Sequence, residues 1–203
     1  MKKILALILG ASIMQAHAVI TDTVLKDFAL NDTKISLHVP AELTESFVTS
    51  PENVFITYSS KDTAYSVIFK FSVLSKANAN SLMQGDNFIN TALIPYSDKD
   101  KRLYGEYKIV QSFEDKMSRS VLIDSYLTKQ ADEYLPEAYF KINEYISLKG
   151  RVLSTITCRA AGARAQKHMI DSTFSLYHGM CSKIIRQNKE LLDTAGRALE
   201  PKP

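Results

Sequence analysis

The chain has 203 residues, with 25 Lys and Arg against 22 Asp and Glu, and 45% of it is hydrophobic. That balance argues against a nucleic-acid partner, because no charge surplus, basic run or aromatic-basic interleave is present to neutralise a phosphate backbone. The hydrophobic share and the lack of low-complexity segments exclude a disordered chain and suit one domain with a full core.

The opening MKKILALILGASIMQAHA sets Lys2 and Lys3 before an apolar run from Ile4 to Leu9 and ends on Ala16-His17-Ala18. A basic start, a short apolar stretch and an A-x-A end are what the secretion machinery and signal peptidase read. The apolar run is far shorter than the roughly 20 residues of a membrane span, and no cysteine follows to carry a lipid. The expectation is a signal peptide over residues 1–18, cleaved after Ala18, and a periplasmic protein without stable membrane insertion. Loss of Lys2 and Lys3 takes the formal charge from +3 to +1.

VLKDFAL (24–30) and KISLHVP (34–40) read as strands separated by the Asn31-Asp32 turn signal. Ile35, Leu37 and Val39 alternate, which puts His38 on the opposite face. AELTESFVTSPEN reads as a polar connection to a third strand, VFITYSS. Tyr65, Val67, Phe69, Phe71 and Val73 then alternate with Ser66, Ile68, Lys70 and Ser72, the pattern of a strand with one strongly buried face.

Ser75 is placed to cap a helix whose apolar stripe is Ala79, Leu82, Met83, Ile89 and Leu93, interrupted by Gly85 and closed by Pro95. Strand-like runs follow at 104–113, 119–129 and 137–148. The last turns through Lys149-Gly150 into RVLSTITCR (151–159), a connection of hairpin length. From about Ala163 the spacing becomes helical, with Phe174, Tyr177, Cys181 and Ile184 at three- and four-residue steps. Residues 193–203, with Pro201 and Pro203, read as a flexible tail beyond one globular domain over 19–192.

Strands, a helix, antiparallel strands and a long helix in that order predict an α+β fold, with a mainly antiparallel sheet flanked by helices. Both cysteines, Cys158 and Cys181, fall on core-facing sides of neighbouring elements. In an oxidising compartment that spacing predicts a disulfide pinning the C-terminal helix to the sheet.

Other chemistry in 157–181 fares less well. A zinc set of Cys158, His168, His178 and Cys181 fails because His168 lies about 140° around the helix from Cys181. His168 and Asp171 share a helix face near Ser172 and Ser175, yet no G-x-S-x-G elbow occurs and His168 reads as a solvated surface residue. No catalytic set, metal set or cofactor motif emerges.

The ending YISLKGRVLSTITCRAAGARAQKHMIDSTFSLY, with KISLHVPAEL near the start, resembles PsbP-like α/β/α sandwich domains. That group includes extrinsic proteins of the oxygen-evolving complex, Ran-binding nuclear import factors and bacterial DcrB-like envelope proteins. The resemblance implies binding or assembly roles and supplies no catalytic residues. DcrB-like proteins are typically lipid-anchored, and the anchoring cysteine is absent here.

The functional expectation is a non-catalytic protein-binding protein, most concretely an immunity protein that occludes a type VI secretion effector. The alternative is an envelope accessory protein. Two stretches place acids or bases beside aromatics as candidate partner-binding loops: ADEYLPEAY with Asp132, Glu133, Tyr134 and Tyr139, and YSDKDKRLY with Tyr96, Lys99 and Arg102.

Overall fold

Among the described residues seven strands, most of them with alternating apolar residues, form one antiparallel sheet, and a two-stranded hairpin stands against it. The hairpin is β1 (Thr23–Leu30) with β2 (Thr33–Pro40). The sheet comprises β3 (Thr44–Thr49), β4 (Asn53–Ser59), β5 (Tyr65–Val73), β6 (Tyr104–Asp115), β7 (Ser120–Lys129), β8 (Ala138–Lys149) and β9 (Val152–Ala163). Its spatial order is β3-β4-β5-β9-β8-β7-β6. Helix α1 spans Lys76–Gln84 and α2 spans Lys167–Leu199. The structure is a computed structural model and describes residues 22–30, 33–50, 53–84, 104–115, 119–129, 131 and 136–199. The predicted signal peptide and the predicted helix positions Gly85, Ile89, Leu93 and Pro95 lie outside the described residues.

Register explains the layers. Val67 pairs with Cys158 and Phe69 with Ile156, so the buried face of β5 is continuous with that of β9. Ile56 and Tyr58 extend it across β4. Onto this face pack Ile170, Phe174, Cys181, Ile184 and Leu192 of α2, and beside them Phe28, Ile35, Leu37 and Val39 of the hairpin. The opposite face carries Val121, Ile123, Ile146 and Leu148, with Leu82 of α1 laid over them. The result is a mainly antiparallel α+β fold with a long C-terminal helix.

Several contacts fix α2, whose 33 residues give a length of about 50 Å, and three of them lie along its middle. Cys158 and Cys181 form a disulfide at its middle, with Cα atoms 6.1 Å apart. Tyr177 stacks on Tyr65 with ring centroids 4.2 Å apart. Asn188, fully buried, accepts from the His38 backbone N–H at 2.8 Å and donates to the His38 carbonyl at 2.7 Å. One amide side chain thereby satisfies the β2 edge that α2 covers, which removes a buried unpaired donor and acceptor.

Several expectations need correction. The segment read as a polar connection contains β3, an edge strand exposed at every position, whose pairing with β4 is backbone-driven and leaves no apolar alternation to read. Strand β9 runs four residues past the predicted end, and α2 begins only after a single 3-10 turn at Arg164–Gln166. Residues 193–199 are the last helical turns of α2 rather than part of a flexible tail. Ala195 and Gly196 are buried there, and Asp193 pairs with Lys149 at 3.0 Å, so the turn is held from both sides. Met83, placed in the apolar stripe of α1, is exposed at the rim of the contact.

Candidate binding site

Helix α2 lies over β5, β9 and β8, which leaves the same sheet face of β7 and β6 beyond its flank. A cleft of ≈ 430 Å³ opens between that flank and the sheet. Thr128 and Tyr126 of β7, Tyr139 and Lys141 of β8 and Val110 of β6 line the sheet side, and Arg164, Lys167, Asp171, Phe174 and Ser175 line the helix side. The ladder sets this arrangement. Tyr139 pairs with Thr128 and Lys141 with Tyr126, on the face that Cys158 and Asn143 share farther along.

The polar groups here are organised around Asp171. Burial alone raises its carboxyl pKa, but the Lys167 ammonium at 2.8 Å and the Tyr139 hydroxyl donating at 3.1 Å outweigh that and hold it below the usual carboxylate range. Burial, reinforced by the Asp171 charge, pushes the Tyr139 phenol upward. Lys167 also stands 5.2 Å over the Tyr139 ring, and Arg164 pairs with Glu137 at 3.3 Å. Tyr126 and Tyr139 lie 6.1 Å apart in a tilted pair. The cleft thus has an aromatic floor and cationic rims, with its one lining carboxylate already engaged. Ser175 spends its hydroxyl on the Asp171 carbonyl at 2.8 Å, and His168 is exposed, so the group considered for hydrolysis is dispersed into ordinary helix contacts. Such an arrangement can grip and orient a ligand through aromatic and charged contacts.

Beside the cleft the sheet ends at β6, the last strand on that side among the described residues. Val110 and Phe113 of β6 are 58% and 60% exposed. A bulge between Ile109 and Gln111 takes Val110 out of the ladder and leaves it at the cleft mouth.

Of the sequence-predicted site residues, Cys158 and Cys181 are joined, and Tyr139 lines the cleft. Tyr139 is not on an exposed loop as expected: it is in β8, buried, because its ring is the inward member of an alternating run and its hydroxyl has Asp171 as partner. Asp132, Glu133 and Tyr134 lie outside the described residues, as do Tyr96, Lys99 and Arg102. Lys141, Tyr126 and Val110 were not singled out from the sequence. The first two share alternating faces of neighbouring strands, but only strand order brings those faces under α2. Lys167 was likewise missed, although its four-residue spacing from Asp171 on one helix is a signal that could have found it; the sequence paired Asp171 with His168 instead.

On the opposite sheet face Glu144 is buried and accepts from the Thr157 hydroxyl at 2.7 Å. Burial pushes its pKa up, and Thr157 and Lys70 offset this only in part. Among the described residues no group of three or more His, Cys, Asp or Glu could hold a metal ion, and no helix is long and apolar enough to cross a membrane.

No protein-family model matches the chain, and no curated protein does. Among solved structures the chain is similar to the Ran-binding protein Mog1p of Saccharomyces cerevisiae, at 10% identity and TM-score 0.45, over 82% of this chain and 95% of that one. It is similar to PA94 of Pseudomonas aeruginosa, a protein of unknown function and putative regulator, at 11% identity and TM-score 0.32, over 88% of this chain and 98% of that one. The cyanobacterial PsbP (CyanoP) of Synechocystis sp. PCC 6803 matches at 10% identity and TM-score 0.36, over 77% of this chain and 90% of that one.

Proposed function

We propose that this chain is a non-catalytic periplasmic protein-binding protein, most concretely an immunity protein that neutralises a type VI secretion effector by occluding its active site. The observation that carries the binding role is the exposed apolar pair Val110 and Phe113 on a sheet edge, beside a cleft of aromatic and cationic side chains. Apolar anchors ringed by charge are how protein partners obtain affinity and orientation together. The disulfide and the signal-peptide pattern favour an oxidising compartment, where an incoming effector would be met.

The test is affinity capture with the oxidised protein from envelope extracts of producing and competing cells, read by mass spectrometry. One toxic enzyme recovered at equal stoichiometry is the expected result. A multi-protein envelope complex would replace the immunity role with the accessory one, and a substrate turned over by the protein alone would remove the binding role.

A further inference from the structure

A strand at the edge of a sheet carries a row of unpaired backbone N–H and C=O groups, and proteins blunt long edges with charge, proline or cover. The two ends of this sheet differ. At one end β3 is only six residues long, its Glu45 is tied to both Lys26 and the Tyr58 hydroxyl, and it too exposes two apolar residues, Phe47 and Val48, so length and charge rather than apolar exposure set the ends apart. At the other end β6 is twelve residues long and presents Val110 and Phe113 to solvent.

Charge distinguishes the β6 side further. Arg164 and Lys167 have acidic partners in Glu137 and Asp171. Lys108 and Lys141, which pair in register on either side of Tyr126, make no ion pair with a described residue, and Lys141 lends Asp171 only through-space charge. Among the described residues these two cations on the sheet face that continues from β6 into the cleft are therefore without an ion-pair partner.

From this we infer that β6 accepts an extended acidic segment of a partner protein as an added strand. Main-chain hydrogen bonds to this edge, which pairs with no outer strand among the described residues, supply affinity. On the cleft side, every second side chain of the segment meets Lys108 or the exposed apolar pair, which supplies selectivity, and Lys141, two strands farther in, adds only through-space positive charge. The Val110 bulge leaves the cleft mouth open, so one larger side chain of the segment enters between Tyr139 and Phe174. This inference rests on the protein-binding role proposed above and is independent of whether the partner is a toxin.

The probe is a short peptide alternating Glu with Val, set against its counterpart with Lys for Glu. Each is titrated into the oxidised chain by fluorescence anisotropy, and amide hydrogen exchange maps the contact. The acidic peptide is expected to bind more tightly than the basic one, to weaken with salt and to slow exchange along β6. Lys108→Glu, on β6 itself, should weaken it by about fivefold or more, as charge reversal at a complementary contact does. Val110→Glu, at an exposed position that tolerates the change, should do likewise with the fold intact. Equal binding of the two peptides, or protection along β3, would overturn the inference. So would concentration-dependent protection of β6 without peptide, which would make a second copy of this chain its occupant. An effector captured with undiminished affinity by both variants would overturn it while leaving the proposed function in place.

Discussion

Reduction of Cys158–Cys181 provides a test that can be worked numerically. The bond closes a loop of sequence separation 23 between β9 and α2. In the chain-entropy description a loop of that size removes about 11 cal/mol/K from the unfolded ensemble, or about 3 kcal/mol at 25 °C. For a chain of this length each kcal/mol moves Tm by about 2–4 °C, so the reduced protein should melt about 6–12 °C lower. Both cysteines are buried against Ile156, Phe174 and Ile184, so a thiol reagent cannot reach the sulfurs without local opening. The assay is urea unfolding of oxidised and reduced protein, with the reduction rate followed at increasing denaturant. Reduction should be slow in buffer and accelerate steeply through the unfolding transition. A stability loss below about 1 kcal/mol would refute the entropic reasoning. Reduction as fast in buffer as in denaturant would refute the closed β9–α2 contact.

Other perturbations bear on the remaining contacts. Asn188→Leu strips the His38 N–H and carbonyl of their buried partners and should cost about 2–4 kcal/mol in urea unfolding, more than an ordinary surface change. At Gly196 an added Cβ would sit 3.2 Å from the Lys149 Cβ, so Gly196→Leu should overpack the α2–β8 contact and cost about 1–3 kcal/mol. Glu144 has a folded-state pKa raised by burial, so its stabilising contribution is full below its ordinary value of 4.5 and is lost as pH rises. Glu144→Gln should therefore gain on the parent protein progressively above pH 4.5, and a difference that is flat with pH would exclude the buried-carboxyl explanation.

Elements whose burial follows their own period were legible. Tyr65, Val67, Phe69 and Phe71 alternate because one face of β5 carries the core, and the helical steps of Phe174, Cys181 and Ile184 mark the buried stripe of α2. Strand β3 was invisible because an edge strand with both faces wet has no hydrophobic period to display. The end of α2 was misplaced because Pro201 and Pro203 suggested a loose terminus. What holds residues 193–199 is tertiary: Lys149 on a distant strand and the close approach at Gly196. The cleft was only partly readable for a similar reason. Tyr139 stood out as an aromatic near acids, but its companions Tyr126 and Lys141 acquire meaning from the order β9-β8-β7 and from α2 ending its cover over β8. Asn188 gave no sign at all, since a polar residue in a helix reads as solvated until the β2 edge is placed against it.

Occlusion by a binding surface differs from chemistry in its stoichiometry. The decisive measurement is therefore the activity of the captured effector enzyme as the oxidised protein is added in increasing ratio. Inhibition that rises linearly and is complete at one molecule per effector is the expected result. Inhibition at ratios far below one would reveal turnover by this protein, and full effector activity at excess would show that its active site is never covered.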